Sequence, residues 1–108
     1  MPFVKIYLKN KGADREKLKN LSQKYVAEAA SGQVRGVVAP NEVEVVFFEK
    51  RESDHLIKDV VIQVFLKKTD ERVANFEERH VKLFGDLKAE IGDFSLQTAL
   101  SEHEYSES

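Results

Sequence analysis

Apolar and polar side chains alternate from Phe3 to Leu8. Val4, Ile6 and Leu8 fall on one side and Phe3, Lys5 and Tyr7 on the other, so this segment reads as a strand with a core face and an amphipathic face. Gly12-Ala13-Asp14 breaks the alternation, and Leu18, Leu21, Tyr25, Val26 and Ala29 then recur at helical spacing, with Asp14 placed to cap the helix and Gly32 to stop it. After a connection containing Gly36 and Pro40, Val43-Glu44-Val45-Val46-Phe47-Phe48 reads as a second strand. A polar stretch from Glu49 to His55 follows. Val60 to Leu66 is apolar on both faces, as expected of a strand central in its sheet. Thr69 caps a second helix with Asp70 and Glu71 in its first turn, and Val73, Phe76, His80, Val81, Phe84, Leu87 and Ile91 form its expected buried stripe. Gly92 ends that helix, Phe94 to Leu100 alternates as a last strand, and Ser101 to Ser108 is a polar tail expected to be mobile.

The pattern is one β-α-β unit written twice. Adding fifty-five to Leu18, Leu21 and Val26 gives Val73, Phe76 and Val81, so the two helical stripes superpose. A single α+β domain over residues 1–108 is expected, with pseudo-repeats over about 2–50 and 58–101. Right-handed crossovers make the strands within each unit parallel and set both helices on one face of a mostly four-stranded sheet. The other face carries Phe3, Tyr7, Val61, Phe65 and either Val45 with Phe47 or Val46 with Phe48, depending on register. An apolar surface of that size is expected to be covered by association.

Composition narrows the function classes. Hydrophobic residues at 42% and charged residues at 33% fit a globular domain rather than a disordered chain or a rod. The absence of cysteine removes thiolate nucleophiles, disulfides and cysteine zinc sites. The net charge of -2 gives no footprint for nucleic acid. Neither a membrane-length apolar run nor a signal-peptide pattern occurs, so a cytoplasmic location and no membrane partner are expected.

The residues offer few alternatives for chemistry. Glu77 and His80 have Glu-x-x-His spacing, but a di-metal site needs two such motifs, and His80 lies on the helical stripe. A hydrogen-bonded histidine is the expected role, and no metal or cofactor is expected. No serine has a His/Asp relay, and Lys9, Lys11, Arg15, Lys17 and Lys19 are interrupted by Asp14 and Glu16 without aromatic stacking partners. Met1-Pro2 is different. Initiator methionine is generally removed before proline, which leaves a secondary amine at the mouth of the sheet. An α-amino group titrates near neutrality, and burial or nearby cations lower its pKa further, into the range of a general base.

Pro2-Phe3-Val4-Lys5-Ile6-Tyr7-Leu8 followed by Asp14 and Lys17-Leu18, then Val43 to Glu49, then Val60 to Leu66 with Lys67-Lys68-Thr69-Asp70-Glu71-Arg72, resembles the tautomerase superfamily over roughly residues 2–100. A ferredoxin-like sandwich is the alternative arrangement of the same elements. The resemblance implies that, once Met1 is removed, Pro2 is the catalytic acid or base for a small keto-enol acid, in a tautomerase-type isomerisation or in decarboxylase- or dehalogenase-like chemistry. It implies that Lys67, with Lys11, Arg35 or Lys9 from loops, binds the carboxylate, and that Phe3, Tyr7 or Phe47 lines the apolar part. It further implies a homotrimer, with a homodimer next. Two positions depart from the pattern: Glu44 stands where oxalocrotonate tautomerase carries an arginine, and Gln33 where the macrophage migration inhibitory factor branch carries lysine. The longer connection from Gly32 to Asn41 departs as well. A non-catalytic or divergent oligomeric module of the same fold is the alternative function.

Overall fold

A computed structural model describes residues 2–9, 14–32, 37–49 and 58–101. Four strands, β1 (Phe3–Leu8), β2 (Glu44–Glu49), β3 (Val60–Lys67) and β4 (Ser95–Ser101), form one sheet in the order β2-β1-β3-β4. β1 and β2 are parallel neighbours, as are β3 and β4, and the two halves join through the antiparallel β1–β3 pair. This order excludes the ferredoxin-like alternative, in which the split β-α-β unit inserts a strand between its two parallel strands. The fold is the expected four-stranded α+β arrangement, with β3 central.

α1 (Arg15–Ala30) fills the first crossover, and Asp14 caps it by accepting the Lys17 N–H at 3.0 Å. A 3-10 turn at Pro40–Glu42 precedes β2. The second crossover is broken into α2 (Asp70–Ala74) and α3 (Phe76–Ile91). Thr69 accepts the Arg72 N–H at 3.1 Å as the cap of α2, and Gly92 ends α3 at φ 89°, a conformation open to glycine. Val4, Ile6, Leu8, Ile62, Val64 and Leu66 face the helices and are buried with Leu18, Val26, Ala27, Ala30, Leu83 and Leu87. Among the described residues no helix is long and apolar enough to cross a membrane.

Three expectations about the helices are corrected. Val73 and Val81 are 49% and 61% exposed, whereas Leu83 is 1% exposed. Within α3 the inward stripe runs Phe76, His80, Leu83, Leu87 and Ile91, and Val81, one residue past His80, lies about 100° off it, while Val73 belongs to α2, before the break at Asn75. A constant offset of fifty-five therefore relates the sequences of the helices but not their buried faces. Gly32 does not stop α1. Ser31 is its C-cap, with extended backbone and its N–H on the Ala27 carbonyl at 3.0 Å.

The register also resolves which residues of β2 face away from the helices. Lys5 pairs with Val46 and Tyr7 with Phe48, so Val46 and Phe48 join Phe3, Tyr7, Val61 and Phe65 on the face away from the helices, where Phe3 and Val61 are already buried within the single chain and the others half-buried, while Val45 and Phe47 pack against the core. The polar tail beyond Ser101 lies outside the described residues.

Candidate active site at the start of β1

Proline has no N–H to give to a ladder, which confines it to strand starts and edges, and Pro2 stands immediately before Phe3 at the head of an interior strand. Its ring is buried, and its carbonyl accepts the Glu44 N–H at 3.0 Å as the first rung between β1 and β2. Phe3 is opposite Phe65, so one further step of register sets Pro2 across from Leu66, with Lys67 next along β3. The α-carbons of Pro2 and Lys67 are then about 6 Å apart from strand spacing and rise. Beside them Phe3 is fully buried and packs on Phe65 at a centroid distance of 6.3 Å. Lys5 Nζ lies 5.7 to 5.9 Å from the rings of Phe3, Phe48 and Phe65. Half-buried Glu44, opposite Phe3, puts a carboxylate on the same face.

Two arginines that sequence reasoning left unassigned hold the turn behind this edge. Arg72, 6% exposed, donates from Nη1 to the Lys67 carbonyl at 2.7 Å and from Nη2 to the Ala30 carbonyl at 2.9 Å. Arg79 donates to the Ala29 and Ser31 carbonyls, to Asn75 Oδ1 and to Glu71 Oε1, the last at 3.1 Å. A helix ends with carbonyls that need outside donors, and the last turn of α1 has no basic residue of its own. That deficit was the available signal for cations arriving from elsewhere in the chain. Gly32 belongs to the same cluster: a Cβ there would sit 1.9 Å from Glu71 Oε1, so any side chain displaces the carboxylate that pairs with Arg79.

The remaining candidates are spread more widely. Tyr7 is five residues along β1 from Pro2, about 16 Å in an extended strand, and stacks on Phe48 at 5.1 Å. Phe47, one of the residues expected to line the apolar part of the site, faces the helices, with Arg15 5.6 Å from its ring centroid. The Lys9 N–H bonds the Asp59 carbonyl at the end of β1 away from Pro2. Lys11, Arg35 and Gln33 lie outside the described residues. His80 Nδ1 is 2.8 Å from Thr98 Oγ1, the hydrogen-bonded role its place on the stripe suggested, and Glu77 is exposed. Among the described residues no group of three or more His, Asp or Glu side chains is arranged to hold a metal ion. A groove of about 740 Å³ between α1 and α3 is lined by mixed charges, of which Lys82 pairs with Asp86 at 2.7 Å and with Glu28 at 3.6 Å.

No protein-family profile and no curated protein matches the chain. Solved structures do. Malonate semialdehyde decarboxylase, described as having decarboxylase and hydratase activities, superposes with a TM-score of 0.61 at 18% identity over 94% of this chain and 84% of its own. A fused 4-OT determined as an asymmetric trimer gives 0.59 at 14% identity over 92% and 85%. MIF2 of Leishmania major gives 0.58 at 14% identity over 98% and 93%. A domain of unknown function from Sebaldella termitidis matches at 0.53 and 17% identity, over 99% and 95%. At these identities the likeness concerns the fold, and it spans nearly the whole chain: the chain has the fold of the tautomerase superfamily.

Proposed function

We propose that the protein is a tautomerase-type isomerase in which Pro2, freed by removal of Met1, moves a proton between carbon and oxygen of a small keto-enol acid. The observation that carries this reading is the placement of a buried proline at the head of an interior strand, its carbonyl pinned by the Glu44 N–H, with Lys67 at the end of the neighbouring strand. A secondary amine in such a position loses part of its hydration, which favours the neutral base, and a nearby cation acts in the same direction. The proton is taken from the substrate by the prolyl nitrogen and returned at the other atom of the enol system, so one group serves as base and then acid. Lys67 holds the carboxylate, with Lys11 or Arg35 as further cations, and Phe3 and Phe65 form the apolar wall. Tyr7, at the far end of β1, reaches a prolyl site only if a second protomer brings it there. No cofactor or metal enters the reaction.

A second reading, a divergent module of the same fold without this activity, is favoured by Glu44, whose carboxylate on the Phe3 face opposes binding of an anionic substrate and raises the pKa of an amine close to it. A panel of enols and halogenated acrylates, assayed on protein whose intact mass shows loss of Met1, separates the two. Ketonisation of phenylenolpyruvate that depends on Pro2 is the expected result. Full retention of Met1 in native material leaves an amide nitrogen without a usable lone pair and contradicts the prolyl mechanism.

A further inference from the structure

We infer that Arg72 is a positioning residue for the anion-binding cation Lys67, fixing where its ammonium stands by holding its backbone to the end of α1. The inference rests on the proposed carboxylate role of Lys67. Lys67 ends β3, where pairing with β4 closes through Ser101 and the Lys68 N–H bonds the Ser101 carbonyl at 2.6 Å. The Lys67 carbonyl, at this strand end, accepts from the Arg72 guanidinium at 2.7 Å. The same fork reaches the Ala30 carbonyl at 2.9 Å, a group forty-two residues away in the chain. Ala30 leads through Ser31, whose hydroxyl accepts the Val38 N–H at 2.9 Å, into the segment ending at the Glu44 N–H that holds Pro2. The planar, forked guanidinium satisfies two carbonyls in fixed directions, and a lysine reaching the same place satisfies them less rigidly. One buried side chain thus ties the strand end carrying the cation to the connection that pins the proline.

Arg72 touches no substrate in this account, so its effect must pass through Lys67. The test is a double-mutant cycle of Arg72→Gln and Lys67→Gln on the full chain, read as KM and kcat for phenylenolpyruvate and as Kd for phenylpyruvate by NMR titration. Each single substitution is expected to raise KM and Kd roughly fivefold with kcat changed less than about twofold, and the double variant to be no weaker than Lys67→Gln alone. Arg72→Lys should recover part of the loss, and it carries the same comparison should Arg72→Gln fail to fold. Additive effects, or an Arg72 variant that lowers kcat with KM unchanged, overturn the inference in favour of general stabilisation. A wild type that binds phenylpyruvate through Lys67 yet turns over no enol removes the prolyl mechanism alone, because the binding cycle still reads Arg72. A wild type that binds no carboxylate removes the Lys67 site, and the positioning role with it.

Discussion

At the residue scale the chain spends its polar groups unevenly. Arg72 and Arg79 each satisfy carbonyls that α1 leaves open, whereas the fully buried Ser22 Oγ has no hydrogen-bond partner among the described residues. A buried hydroxyl without a partner keeps its desolvation cost uncompensated, so Ser22→Ala is expected to stabilise the fold by about 1 kcal/mol. Thermal unfolding should show this as a melting temperature a few degrees higher, and a lower one would mean that Ser22 is bonded in solution. The position of Pro2 at the head of β1 was legible because it needed only its place before an alternating strand. The arginines were not, because their partners are backbone carbonyls remote in sequence, which no spacing rule reports.

At the element scale the alternation of β1 and the double-sided hydrophobicity of β3 determined their places in the sheet. The second helix was misread where its local signals conflict. Val81 is apolar but stands one residue past His80, about 100° off the inward stripe of α3, and Val73 lies before the break at Asn75. Leu83→Ala is therefore expected to cost about 2–5 kcal/mol and Val81→Ala less than about 0.5 kcal/mol, measured by denaturant unfolding. Similar costs at both positions would contradict this assignment of the buried face of α3. The faces of β2 were ambiguous for another reason: Val45-Val46-Phe47-Phe48 is apolar throughout, so only pairing with β1 decides that Phe48, not Phe47, stacks on Tyr7.

At the scale of the whole molecule, both helical crossovers cover one side of the sheet, and the other side presents Tyr7, Val46, Phe48 and Phe65 around Lys5. Half-buried aromatics on a sheet face favour self-association, and a homotrimer is proposed, in keeping with the trimeric 4-OT structures that share the fold. Light scattering at micromolar concentration should give roughly three times the 12.4 kDa chain mass. A persistent monomer would contradict the proposal, and a Phe48→Lys variant should shift the trimer towards smaller species.

The proposed role of the Pro2 nitrogen in moving the proton is tested by kcat/KM for phenylenolpyruvate ketonisation by wild type and Pro2→Ala, both with Met1 confirmed absent by mass. A loss of about a hundredfold or more is expected in Pro2→Ala, the scale of a positioned general acid or base, with the fold unchanged by circular dichroism. Equal rates for the two proteins would contradict it.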